Sequence, residues 1–472
     1  MLGMAWYCGK GGKQTIRDFT TASSTLGLFV LTLTFCATYH SSYAFMGAYG
    51  FAYQDGVGFW MNGLWTVFPS VLLWYWGRRF WFLGKKYGHI SLSQFLNDAY
   101  GSNLLSLAVA LITVFFTMPM VATQTMGVGY IFKTISKDLI NYEVGAVMFL
   151  VLMVALVWLG GMKGVAWTDA AQGVLMFLGM IIGCYLVVKY NFPSFAEALQ
   201  RTHEIKPELF TIPGPRGTIT NFHWLSRWSS ITIGQMMFPH LVLRYLSGKS
   251  LRILKWSAVS SAAYLTLIYF FTPSVGMIGN VLYPNMANSD LIFPTMLINH
   301  TNIVFASLML CGALAASMST ADSQLHAVSS VITADIYKKY VPKASEKSQF
   351  NFARATIIGV GVISLVFAFQ NSSMIADIQA AATGGVSVLA PCVMGSLYWK
   401  RSTVQGAWAS IIIGETALAI TTYWLVRPLG ILPGLWGLIF AFISFVVVSM
   451  ATKPRPRMVE IVEELNQFFC SN

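Results

Sequence analysis

The chain has 472 residues, of which 56% are hydrophobic and only 10% charged, against about 25% charged in an ordinary soluble domain. Its formal net charge of +12 is carried by short segments between apolar runs, with no basic stripe and no nucleic-acid motif, which argues against a nucleic-acid partner. Composition thus excludes one water-soluble core, and the continuous runs lack the alternation of a membrane barrel.

Apolar runs of the length a spanning helix needs recur along the chain, and each reads as a transmembrane helix. Spans are predicted near 22–53, 57–82, 103–132, 142–160, 164–189, 223–243, 253–281, 301–333, 350–370, 373–398, 403–426 and 430–452. Ahead of them, MLGMAWYC reads as the tail of one more helix. It is too short to span and lacks the leading basic region of a signal peptide. With the 9–21 segment placed in the cytoplasm and the spans alternating, most of the Lys and Arg fall on one side. They include Arg78, Arg79, Lys85, Lys86, Arg244, Lys249, Arg252, Lys255, Lys338, Lys339, Lys453, Arg455 and Arg457. That is the asymmetry of cytoplasmic loops. The chain is therefore expected to be a multi-pass protein of the cell membrane, with one transmembrane domain over 1–453. The amphipathic tail 454–472 is expected to lie in the cytoplasm. Segments 191–222 and 282–300 are expected outside. Residues 84–102 read as a short internal surface helix. Neither a soluble catalytic domain nor an obligate protein partner is evident. The six cysteines have no metal-site spacing.

The first full span holds TFCATYHSSYAFMGAYG at 34–50, with Thr38, Tyr39, His40, Ser41 and Ser42 together near its middle. Three hydroxyl residues in Ala37–Ser42 compete for backbone hydrogen bonds and suit a helix break. Non-helical backbone at that depth is tolerated where it lines a cavity or packs in protein, and transporters use such breaks to bind ions and solutes. The other reading is a polar seam between packed helices. Two further segments carry oxygen-rich chemistry. AASMSTADSQLHAVSS in the 301–333 span offers the hydroxyls of Ser319, Thr320 and Ser323 and the carboxylate of Asp322. GGMKGVAWTDAAQG at 160–173 offers Thr168 and Asp169. Ionisable groups inside a membrane are costly and mark ion paths. Carbonyls, hydroxyls and carboxylates are ligands for hard cations.

Taken together with GHISLSQFLNDAYGS at 88–102, FPHLVLRYLSGKS at 238–250 and GSLYWKRSTVQGA at 395–407, these segments resemble the sodium:solute symporter family, in the family's order and over nearly the whole chain. The closest resemblance is to its pantothenate and monocarboxylate type. The resemblance implies an all-α, LeuT-like fold of two inverted five-helix repeats, here about 22–190 and 223–400. The first helix of each repeat would be interrupted, peripheral helices would cover 403–452, and about twelve full helices would follow the last turns of an extra N-terminal one. It implies a main sodium site formed by the carbonyls of Ala37, His40 and Ala316 and the hydroxyls of Ser319 and Thr320. It also implies a possible second cation site at Asp169, Asp322 and Ser323. The family more often has Ser or Thr at 322 and an apolar residue at 40. The imidazole of His40 either titrates near the ion or packs against a neighbouring helix.

Polar residues predicted at mid-membrane around the break are the candidates for the solute cavity: Thr38, Ser41, Ser42, Asn62, Gln124, Gln235 and Gln379. No Lys or Arg is predicted at that depth, so a carboxylate solute would lean on amide dipoles near Ser41 and Ser42. The implied activity is import of a small organic solute by alternating access, coupled to sodium. The solute would be a monocarboxylate, a pantothenate-like acid or an amino acid. The two carboxylates predict an electrogenic cycle with two cations. A proton-coupled carrier, or a channel or sensor on the same fold, are the alternatives. No metal cluster or nucleophile–base pair suggests an enzyme.

Overall fold

Apolar runs without β-branched alternation fold here into helices, and no strand longer than an isolated bridge occurs among the described residues. The computed structural model describes residues 1–10, 15–136, 138–217, 219–370 and 375–470. In chain order the helices used below are α1 Leu2–Lys10, α2 Leu28–Tyr39, α3 Ala48–Asp55, α4 Leu64–Tyr87, α5 Leu92–Tyr100, α6 Asn103–Ile135, α7 Tyr142–Asn191, α8 Asn221–Gln235, α9 Pro239–Ser247, α10 Leu251–Leu282, α11 Ile292–His300, α12 Ile303–Val331, α13 Glu346–Gln370, α14 Ile375–Ser387, α15 Ala390–Tyr398, α16 Val404–Tyr423, α17 Pro433–Ala451 and α18 Pro456–Cys470.

Several predicted spans are not single rods. The 22–53 run is α2 and α3 with a break between them, and the 223–243 run is α8 and α9, separated at Met236–Phe238 ahead of Pro239. Proline at the first helical position starts a helix and cannot extend the one before it. The 373–398 run is α14 and α15, bent by 44°. The spans predicted at 142–160 and 164–189 form one 50-residue element that turns at Gly161, whose φ of 50° and ψ of −161° lie where only glycine is comfortable. The external segment 282–300 ends in α11, whose Ile292, Phe293, Pro294, Met296 and Leu297 are buried. It returns into the protein instead of lying on its surface.

Close helix contacts use small residues, as expected where lipid supplies no hydrophobic force between helices. Ala5 of α1 packs on Gly160 and Gly164 of α7, and Gly384 of α14 meets Gly434 of α17 backbone to backbone. On one face of the molecule, α18 buries Met458, Ile461, Val462 and Leu465 at helical spacing. Its Arg457 holds Asp98 of α5 by two hydrogen bonds of 3.1 and 3.0 Å, and Glu464 receives Lys86 and Tyr87. The 84–102 segment and the tail, both predicted on one side of the membrane, are thus in contact.

The α8–α14 contact is the tightest one near the breaks. A Cβ on Gly234 would fall 2.0 Å from the Thr383 carbonyl oxygen, whereas one on Gly359 would meet nothing within 4 Å. Gly234→Ala is therefore expected to lower the thermal midpoint of the detergent-solubilised protein, by an overpacking cost of about 1–3 kcal/mol. Gly359→Ala should leave the midpoint unchanged or raise it, since alanine is the better helix former. Equal midpoints for Gly234→Ala and wild type would show that the two helices do not pack this closely.

Candidate ion and solute sites

The break after α2 generates the first site. His40 turns extended (φ −81°, ψ 114°), and the chain resumes through a π turn over Tyr43–Gly47 into α3. The last carbonyls of α2 lose their amide partners, as at any helix end, but in the protein interior. α12 crosses this gap. The Thr320 hydroxyl oxygen lies 3.3 Å from the Ala37 carbonyl oxygen, 3.2 Å from that of Thr38, 2.9 Å from that of His40 and 3.2 Å from that of Ala316. The Ser319 hydroxyl lies 2.8 Å from the Ala37 carbonyl and 3.0 Å from that of Ala316. The five residues predicted for the main site are thus brought together, and the Thr38 carbonyl joins them. One hydroxyl proton serves one acceptor at a time, so oxygen lone pairs outnumber protons here. A buried, neutral, all-oxygen set fits a hard alkali cation. The His40 ring takes no part. It packs 5.4 Å from Tyr264 and 5.1 Å from Tyr269 between ring centres, and neither ring nitrogen has a hydrogen-bond partner.

Directly below, one turn along α12, Ser323 opens a second polar cluster. Thr34 and Thr38, one turn apart on α2, lie 2.6 and 3.3 Å from Asp169 of α7. Ser323 lies 3.1 Å from Thr38 and 3.2 Å from Asp169. Asp169, Asp322 and Ser323 do meet, and a side chain already supplies a cation to Asp169 and Ser323. The Arg244 guanidinium bonds Asp169 at 2.9 Å and contacts Ser323, both charged groups being fully buried. This corrects two expectations: Arg244 is not in a cytoplasmic loop, and the interior is not free of Lys and Arg. The reason is the break at Met236–Phe238, which makes α9 a separate half-helix in which every residue is buried. Asp322 reaches Ser323 at 3.4 Å, and its Oδ2 has no partner.

Above the break lies a third cluster. The Ser42 amide and hydroxyl donate to Gln124 Oε1 at 2.9 and 3.0 Å, and the same hydroxyl lies 3.0 Å from the Thr123 carbonyl. Gln379 of α14 donates to the Ser41 hydroxyl at 3.0 Å and approaches Thr123 at 3.5 Å. Ser41, Ser42, Gln124 and Gln379 are therefore assembled. Thr38 is not with them: its hydroxyl faces Asp169, on the opposite side of the break. Gln235 ends α8 at the second break, and none of these hydrogen bonds reaches it. The side chain of Asn62 lies outside the described residues. Thr123, which sequence reasoning passed over, is one position from Gln124 and was identifiable only through the packing of α6 on the break. Arg227 was also missed. It is buried in α8 near Ala376 and Asp377, although its position inside the 223–243 run was visible.

Two interrupted helices in an all-helical membrane protein, the first with exposed carbonyls that meet the hydroxyls of a third helix, define a LeuT-fold secondary transporter. The substrate-bound, outward-open structure of a Na+-coupled sialic acid symporter shares this fold with a TM-score of 0.80 at 21% identity, over 96% of each chain. A nucleobase–cation symport-1 family transporter in a closed conformation shares it with a TM-score of 0.63 at 13% identity, over 94% of this chain and 97% of that one. The profile of the sodium:solute symporter family matches residues 19–414, and the chain belongs to that family. It is 27% identical over 451 residues to the sodium/pantothenate symporter of Haemophilus influenzae, covering 92% of this chain and 91% of that one. It is also 27% identical over 490 residues to the osmoregulated proline transporter OpuE of Bacillus subtilis, covering 98% and 96%. The protein is thus a multi-pass, sodium-coupled symporter of a small solute in the plasma membrane, and not an enzyme.

Cysteine scanning distinguishes the clusters. In a Cys36→Ala background, Ser41→Cys should react with a small thiol reagent and be protected by transported solute. Thr38→Cys, which faces Asp169, should show no such protection. The reverse pattern would place the solute below the break.

Proposed function

We propose that the protein imports a small monocarboxylate of the pantothenate type, or proline, together with one sodium ion. The single observation that carries the ion assignment is the convergence of the Thr320 hydroxyl on the α2 carbonyls. In this reading Ala37, Thr38, His40, Ala316, Ser319 and Thr320 hold sodium. Ser41, Ser42, Gln124 and Gln379 hold the solute, a few ångströms further out on the same break. The repeats run over about 22–190 and 223–400, and the α18 tail lies in the cytoplasm, as the Lys and Arg distribution supports. The pantothenate and proline symporters among the relatives support the solute class.

One sodium, not two, follows from Arg244. Asp169 and Ser323 are already joined to a fixed guanidinium, so a second mobile cation there would meet a like charge. A sodium ion moving with a monoanion carries no net charge. With zwitterionic proline it carries one, which gains about 2.3 kcal/mol per 100 mV.

Two measurements test this in proteoliposomes. Ser319→Ala and Thr320→Ala should each raise the sodium concentration for half-maximal uptake by about tenfold, the equivalent of 1.4 kcal/mol, with the protein still folded. Unchanged values in both would remove this site. Separately, sodium-driven pantothenate uptake should be insensitive to an imposed potential, and proline uptake should respond to it. Two charges moved per proline would refute the single-cation cycle.

A further inference from the structure

The outer half of the second broken helix contains a buried cation that the ion site does not use. Arg227 sits in α8, eight residues before the break, with a side chain only 2% exposed. Burying an ionic group is costly unless its hydrogen bonds are satisfied. Arg244 is hydrogen-bonded to a carboxylate, Asp169, whereas Arg227, which lies beside Tyr43, is not. Its Nη2 reaches the Ala376 carbonyl at 3.3 Å, its Nη1 is 3.8 Å from Asp377, and its Nε has no partner. The second of these distances exceeds a hydrogen bond. The guanidinium plane is covered by the Phe51 ring of α3, 4.7 Å away. Asp377 itself is half exposed, so its carboxylate has water as an alternative partner.

The position of this cation matters as much as its unspent donors. Ala376 and Gln379 are three residues apart on α14, one turn, so Arg227 stands about 5 Å outward of the Gln379–Ser41 hydrogen bond. It touches the outer half of the first broken span through Phe51 and the start of α14 through Ala376. At the start of α14 the Ile375 amide donates to Asp290 at 3.3 Å. Beside it, an incoming anion meets the Nε of Arg227, which has no partner.

We propose that Arg227 is the receptor for the solute's carboxylate at the outer mouth, and that Asp377 occupies its place in the absence of solute. This rests on the monocarboxylate reading above and extends it. The solute's carboxylate takes the planar guanidinium in a paired contact, Asp377 turns to water, and the solute body settles on Ser41, Ser42, Gln124 and Gln379. Asp290 and Asp377 flank the seat, so a second negative charge on the solute meets repulsion. The site selects one carboxylate and disfavours dianions.

The test uses the full-length protein in proteoliposomes, with pantothenate, L-proline and lactate as solutes and pantothenol, prolinamide and lactamide as competitors lacking the carboxylate. For each solute that wild type carries, Arg227→Gln should raise the half-saturating solute concentration about tenfold or more, the loss of a hydrogen-bonded charge, with half-saturating sodium unchanged. Arg227→Lys should rescue only part of it. These carboxylate-free counterparts should compete poorly. Asp377→Asn should lower half-saturating solute, because the surrogate carboxylate is gone, and a merely structural salt bridge would not move the constant in that direction. Should Arg227→Gln fail to fold, the Asp377→Asn constant and the competitors decide alone. Wild-type constants in both Arg227 variants, equal competition by the carboxylate-free counterparts, or a raised constant in Asp377→Asn would each overturn the receptor while leaving the symporter standing. Sodium-driven uptake of none of the three carboxylates by wild type would overturn both.

Discussion

The arrangement depends on one constraint: a backbone carbonyl released from a helix inside a membrane protein must find a partner, and water is not there to provide it. The break at His40 releases carbonyls at the end of α2, and the Ser319 and Thr320 hydroxyls of α12 reach them. A hydroxyl can donate to such a carbonyl or turn a lone pair to the same cation that the carbonyl binds. The pairing is therefore stable without an ion and convertible to an ion site with little rearrangement. Binding energy from sodium then acts on the distance between α2 and α12. The same break presents Ser41 and Ser42 to Gln379 and Gln124 on its other side. In the proposed arrangement sodium and solute each bias the conformation of one short segment, and by linkage each must change the affinity for the other equally.

The second constraint is electrostatic. A buried carboxylate such as Asp169 needs a counter-charge, and the chain supplies Arg244 from the other broken span. Such a pair adds little net stability over an apolar contact, but removing one partner costs about 3–5 kcal/mol. Arg244 thus fixes α9 against α7 and α2 and closes the polar column that descends from the sodium oxygens through Thr38 and Ser323. A tethered cation in that column takes the place that a second free one would need.

Much of this was legible in the sequence. The polar centre at 37–42 marked the first break because serine, threonine and histidine stand out against an apolar run. Ser319 and Thr320 stood out in the same way, and Ala316 and Thr320 share a helix face by spacing alone. The amphipathic character of 454–472 was visible as well, and the structure buries the apolar stripe of α18. What stayed hidden were features that do not alter local composition. Met236-Met237-Phe238 is as apolar as any helix interior, so the second break was expected from the family resemblance alone and not from composition. Arg244 at the end of an apolar run reads as a loop residue flanking a membrane, and hydropathy alone cannot show that the run has been cut and its last turns folded inward. Thr38 reads as a solute candidate because it belongs to the polar centre of the first full span. Helical phase places it one turn from Thr34 and so beside Asp169.

These misassignments share a cause. A linear reading treats each span as a cylinder with polar ends in water, and it assigns charges near those ends to loops. In a broken span each half has two ends, and one of them is inside the protein. Charges near the inner or re-entrant ends count toward the interior. For this chain the correction moves two arginines inward, Arg227 on α8 and Arg244 on α9. Each faces carboxylates from other elements. The neutral oxygen set proposed for sodium gains no carboxylate ligand of its own. Its occupancy is left to carbonyl and hydroxyl dipoles, a weaker field that suits an ion which must be bound on one side of the membrane and released on the other.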